Sequence, residues 1–232
     1  LLGNLDAEPI ENNSGSCQQG FALGMQDLTE YDQQYANHFI DTLSATGPEG
    51  HRLYAILDGA QDSRIYRHLQ QHGDVYMSMY TDDVAEPLKA VGPLLYQFRK
   101  NDKLTAWLIK HGAFNNWFIV FPSLGKTMVQ LRRHFKRFAV VLSPQGKRMY
   151  FRYYDPRVLG GVLVAADDSQ LSIIFGDIAC LWASGSELGQ YCKFVKCTSR
   201  SESIALVDLS YRENFTITPD DAPVTVSPTE TA

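Results

Sequence analysis

The stretch LYAILDGAQ, residues 53–61, decides the fold. Leu53 to Leu57 form a continuous apolar run, which marks a strand buried on both faces. The run stops at Asp58, directly before Gly59. An acid at the end of a buried strand is costly unless it is paired or in use. A second stretch, YYDPRVL at 153–159, repeats the arrangement, with Asp155 standing before Pro156. It closes the clearest hairpin in the chain, at about 138–154. There FAVVLS (138–143) and MYFRYY (149–154) flank the turn-forming Pro144-Gln145-Gly146.

Downstream of the first stretch, Asp62 or Ser63 is placed to cap a helix carrying Ile65, Tyr66 and Leu69 and ending at Gly73. VYMSMY at 75–80 then reads as a strand, so strand, helix and strand predict a parallel βαβ unit. Thr81–Pro87 reads as an acidic loop. VGPLLYQF (91–98) reads as a strand from Leu94, residues 103–111 as a helix, and NWFIVFP (116–122) as a buried strand. Ser123 is the expected cap of a helix bearing Leu124, Met128, Leu131 and Phe135. A helix around 157–166 is weakened by Gly160-Gly161. The apolar run 171–183 fits helix or strand, and YCKFVKC (191–197) alternates as a strand that 203–210 can pair. Upstream, Thr29 and Asp32 form a capping box before a Tyr31, Tyr35, Phe39, Leu43 stripe, and Gly47-Pro48 ends that helix. The sum is a mixed α+β domain. Its central mixed sheet has five or more strands, with helices packed on both faces. Residues 1–27 are expected to be a flexible arm, 28–215 one domain, and 216–232 a disordered tail rich in Pro and Thr.

Composition sets ordinary bounds: 232 residues, 44% apolar and 20% charged. Cys17, Cys180, Cys192 and Cys197 contain no CxxC pair, which suits reduced thiols in a cytosolic protein. No apolar run has membrane-spanning length, and the first residues lack the features of a signal peptide. Charge is uneven. Residues 1–45 carry seven acids and no Lys or Arg, whereas 126–157 carry nine bases and one acid, Asp155. One reading is internal neutralisation. The other is a basic face, at Arg132, Arg133, Lys136 and Arg137, for an acidic partner. A net charge of −5 and the lack of a reading motif argue against nucleic acid.

Motifs of catalysis are mostly absent. Gly125-Lys126-Thr127 ends like a phosphate-binding loop, but Val120 occupies the position where that loop needs glycine. His68 and His72 have a chelating spacing without an intervening acid or a third ligand, so a packing role is preferred. No serine sits in GxSxG. Asp58 invites two readings: a catalytic carboxylate at a strand terminus, or a structural acid capping the turn with Gln61 and Ser63 nearby. The structural reading is preferred. The alternative is a small-molecule- or nucleotide-binding enzyme with its site near Asp58. Asp155 and Arg157, fixed across Pro156, read as an internal ion pair, together with Arg152, that locks the hairpin against the sheet. Asn214-Phe215-Thr216 is a glycosylation sequon read as chance.

LYAILDGAQ, the following IYRHL (65–69), VGPLLYQF, YYDPRVL and the FGDI segment ending near Trp182 together resemble the adaptor chaperones of bacterial type VI secretion effectors. The resemblance covers roughly 52–185. It implies a cytoplasmic, non-enzymatic protein without cofactors or metal. Its partners would be a secreted effector and a spike-tip protein of VgrG type, with no nucleic acid and no membrane insertion. The family-like positions are Asp58, Gly59, Gln61, Gly92, Pro93, Tyr154, Asp155, Pro156 and Arg157. Many members carry a longer helical C-terminal region than this chain has.

Overall fold

The computed structural model describes residues 25, 27–45, 47, 49–72, 75–143, 145–184, 190–195, 197–198, 205–206 and 214–216. In chain order these form α1 (Glu30–Ser44), β1 (Arg52–Asp58), α2 (Ser63–His72), β2 (Tyr76–Ser78), α3 (Glu86–Ala90), β3 (Pro93–Phe98), α4 (Lys103–Gly112), β4 (Phe118–Ser123) and α5 (Met128–Lys136). There follow β5 (Val140–Leu142), β6 (Arg148–Tyr150), α6 (Pro156–Ala165), α7 (Asp168–Phe175), β7 (Cys180–Ser184), β8 (Gln190–Val195), β9 (Cys197–Thr198), β10 (Ala205–Leu206) and β11 (Asn214–Thr216).

Seven strands make the main sheet, in the order β11-β8-β7-β4-β1-β3-β2. Alternation along each strand sends side chains to two apolar layers. Leu53, Ala55 and Leu57 of β1 face α1, α2 and α4, joining Phe39, Ile65 and Trp107. Tyr54 and Ile56 face α5, α6 and α7, joining Leu131, Leu159 and Phe175. The structure is thus a mixed α+β fold of three layers, helix on sheet on helix. Each large apolar side chain removed from water contributes roughly 1.5–3 kcal/mol before the entropy cost of ordering it. The stripe of α1 buries Tyr35, Phe39 and Leu43, and its Thr29–Asp32 capping box forms as the sequence predicts. The buried cysteines Cys180 and Cys192 belong to opposite layers. Cys17 and the side chain of Cys197 lie outside the described residues, as do the expected arm before residue 25, the expected helix stop at Gly73, the turn residue Pro144 and the tail after Thr216.

Strand pairing differs from the expectation in a definite way. Every described ladder is antiparallel, so the sheet is not mixed in its pairing. Strands β1 and β2 do run the same way, but β3 lies between them: Leu95 faces Ile56 on one side and Met77 on the other. The predicted βαβ unit is therefore split by an inserted strand. The reason lies in burial. β3 is buried at five of its six positions, while the three residues of β2 are only half-buried and suit an edge.

Smaller corrections have local causes. Thr127, not Ser123, caps α5, because Ser123 completes β4. Gly125 then turns the chain at φ +68°, and Thr127 forms a capping box with Gln130. The acidic segment 81–87 is only partly loop, since α3 starts at Glu86 with Pro87 in its first turn. The ambiguous run 171–183 holds both states, the end of α7 and then β7. The hairpin is shorter than 138–154 and forms a two-stranded sheet of its own. Of the stretch 203–210 the described Ala205–Leu206 (β10) pair with β9, touching the expected 191–197 strand only at Cys197, and the sequon forms β11 on β8.

Candidate functional site

Asp58 ends β1 on the α5–α7 side of the sheet and is 1% exposed. Its Oδ1 accepts the Ala60 N–H at 3.1 Å, and Oδ2 accepts the Gln61 side-chain amide at 2.8 Å. The Gln61 N–H also bonds the Asp58 carbonyl, so acid and amide close a tight turn. Oδ2 further receives the Arg152 guanidinium at 2.5 Å. Arg152 reaches this point from the segment that leaves the hairpin after β6, 94 positions along the chain.

Arg152 also stands 3.7 Å from Oδ2 of Asp155, which is 3% exposed. Asp155 caps α6 by accepting the Arg157 N–H at 3.0 Å. The Arg157 side chain grips the same carboxylate from both sides, Nε to Oδ1 at 2.9 Å and an Nη to Oδ2 at 2.8 Å. Pro156 at the first helical position donates nothing and is preset for the helix. The two decisive stretches of sequence therefore meet in one chain of charges, Asp58, Arg152, Asp155 and Arg157, with the Gln61 amide at its start.

The electrostatics follow from this arrangement. Burial raises the pKa of Asp155, but the Arg157 hydrogen bonds outweigh it and carry the carboxyl below its usual value. For Arg152 desolvation works against the charge, and the bond to Asp58 reverses that, so its pKa is raised. Burial, then the Asp58 charge, pushes the Tyr154 hydroxyl up to about 12. Tyr80 is raised mainly by burial. Tyr154 lies beneath the Arg152 guanidinium, 5.9 Å from ring centre to charge.

Two glycines allow close packing here, Gly59 against backbone and Gly92 against a ring. The Gly59 N–H bonds the Gly92 carbonyl at 3.1 Å. A Cβ on Gly59 would collide with the Ala90 carbonyl oxygen and lie 2.8 Å from that of Gly92. A Cβ on Gly92 would press into the Tyr80 ring, 2.7 Å from Cδ2. Every family-like position except Tyr154, whose ring rests against Arg152, thus has a defined task in backbone packing or charge pairing. Pro93 opens β3 opposite Asp58.

The four candidate basic residues lie together on α5 and its end, lining a shallow depression with Val129. They are not equivalent. Arg132 turns inward, its guanidinium donating to the Tyr80 carbonyl at 2.5 Å. Arg133, Lys136 and Arg137 are exposed. The Arg137 guanidinium donates to His134 Nδ1 at 2.7 Å. Since Arg only donates, Nδ1 accepts, and Nε2–H donates to the Ile174 carbonyl at 2.8 Å. Burial lowers the pKa of His134, which suits this neutral form.

His68 and Lys126 take different places. His68 is buried edge-on against Trp107, ring centres 4.5 Å apart, and no group able to hold a metal occurs among the described residues. Lys126 pairs with Asp177 at 2.7 Å in the loop before α5. No helix among the described residues is long and apolar enough to cross a membrane.

What the sequence reading did not foresee is an apolar groove of about 430 Å³ between the hairpin and helices α6 and α7. Val140, Leu142, Phe151, Val162 and Ile173 line it, with Arg137 at its rim. The signal was present in FAVVLS, whose strand is apolar on both faces although the hairpin has only one face to bury.

A family model matches residues 53–172, just over half of the chain, and the chain belongs to that family, a domain of unknown function (DUF4123). The match includes both charged stretches and stops before β7. No curated protein and no solved structure gives a significant match.

Proposed function

We propose that this protein is a cytoplasmic, non-catalytic adaptor that binds a type VI secretion effector and assists its loading onto the spike protein. One observation carries this reading beyond the resemblance of the motifs. The two strand-terminal carboxylates best placed for chemistry, Asp58 and Asp155, have both oxygens engaged by backbone amides, Gln61 and arginines. A general acid or base needs an oxygen within reach of a substrate proton. These oxygens are spent on joining the hairpin and α6 to the sheet. Apolar side chains left in solvent on the hairpin and α7 supply the anchors that a protein interface uses.

The test is co-expression of the chain with the toxin encoded by a neighbouring gene. The expected result is a complex that survives size exclusion, with effector export lost when this gene is deleted and no turnover by the purified chain. Turnover by the chain alone, abolished in Asp58→Asn, would contradict the proposal.

A further inference from the structure

We infer that the hairpin–α6–α7 groove, together with the basic depression beside it, is the docking site for an acidic amphipathic segment of the partner. This rests on the adaptor reading and specifies where and by what chemistry it works. The groove wall is apolar except for Arg137 and Gln170, and none of its lining residues is acidic. Leu142 is 69% and Ile173 48% exposed, on opposite sides of it. Tyr150, on the partner strand of β5, is 80% exposed. Contiguous apolar surface of this kind on a soluble domain commonly marks an interaction site.

Charge selects the occupant. The groove and the depression formed by Val129, Arg132, Arg133, Lys136 and Arg137 share one residue, Arg137. Arg133 and Lys136 make no ion pair among the described residues, and neither do Lys147 and Arg148 at the hairpin tip. A segment seated on the apolar wall therefore runs into exposed positive charge at the Arg137 end, only partly offset by Asp82 beside Arg132. At the other end of α7 from Ile174, which His134 links to Arg137, stand the acids Asp167 and Asp168. The complementary partner has apolar side chains on one face and carboxylates gathered towards the end that meets Arg133, Lys136 and Arg137. The recessed shape suits a peptide segment better than a flat lipid surface. The −5 charge of the whole chain also opposes general attraction to anionic membranes.

The test uses the full chain, labelled for NMR, and two helix-forming peptides of the same leucine pattern, one carrying glutamates and the other lysines. The expected result is binding of the glutamate peptide at least tenfold tighter than the lysine peptide and weaker at higher salt, with shifts centred on Val140, Leu142, Phe151, Val162 and Ile173. Leu142→Ser/Ile173→Ser and Arg133→Glu/Lys136→Glu alter exposed positions, so both pairs should fold, and each should weaken binding about tenfold. Equal binding of both peptides, or shifts mapping to another face, would overturn the inference. So would a dimer that buries Leu142, contacts from residues 1–24 of the free chain to Leu142 or Ile173, or groove-dependent binding to phosphatidylserine vesicles. If an effector complex forms and both variant pairs leave it intact, the adaptor role stands and this site falls. If no effector complex forms but the peptide result holds, the site stands and the adaptor role falls.

Discussion

The two sides of the hairpin meet their surroundings in opposite ways. Where the chain leaves it, Arg152 and Tyr153 carry it into the body of the protein, and every nearby charge has a partner: Asp58 with Arg152, Asp155 with Arg157. Along β5 and β6, Leu142 and Tyr150 stand largely in water. The first region is closed chemically and the second is open. An acid conspicuous in sequence has both oxygens engaged by its own fold, while a strand of the hairpin presents exposed apolar side chains.

This contrast can be broken from the closed side first. Gly59→Ala is expected to be the most damaging single change, at about 3 kcal/mol, because the new methyl would meet two backbone carbonyls that cannot swing away. Urea denaturation measures it. Arg152→Met comes next, at about 2 kcal/mol. It leaves Asp58 buried without its cation, and the value is reduced from that of a fully buried pair because the Arg152 side chain is 45% exposed. Export or capture of an effector should fall only as far as the folded fraction falls.

Acid titration sharpens the comparison next. His68, His111 and His134 each have a folded pKa below 6.5, in every case chiefly through burial. Unfolding therefore takes up protons, and stability declines as pH drops below about 6.5, the ordinary histidine value, towards the folded values. Asp155 has a depressed folded pKa, so its contribution is present above the ordinary aspartate range and disappears only as pH falls through the folded value. Melting temperature against pH should show two separate declines. His134→Gln should reduce the upper one.

The smallest effects are expected from two conservative changes. The Tyr153 hydroxyl is buried without a hydrogen-bond partner, while its ring stacks on Phe135. Tyr153→Phe should leave stability unchanged or slightly higher, since an unsatisfied buried hydroxyl is a cost. On the open side, Leu142→Ser should shift stability by less than about 0.5 kcal/mol. Thermal melts of both variants decide this.

Much of the closed region was legible in sequence. Five apolar residues ending at Asp58 announced a doubly buried strand, Gln61 announced the capped turn, and Arg152 and Arg157 announced the pairing of Asp155. What stayed hidden was the anchor of the join, because nothing local states that Arg152 spans from Asp155 to Asp58. The position of β3 between β1 and β2 was hidden for a similar reason. Strand order depends on which strand best tolerates an exposed edge, and that is a comparison among strands, not a property of one. The groove escaped notice because apolar strands are read as core by default, and only the separation of β5 and β6 from the main sheet exposes them.

A double-mutant cycle on Asp58→Asn and Arg152→Met, followed by urea denaturation, tests the central claim most directly. The account predicts that the pair is coupled by more than about 1 kcal/mol, with the double variant losing clearly less stability than the two single losses combined. Strictly additive losses would contradict it, because the two stretches would then not be joined through these charges.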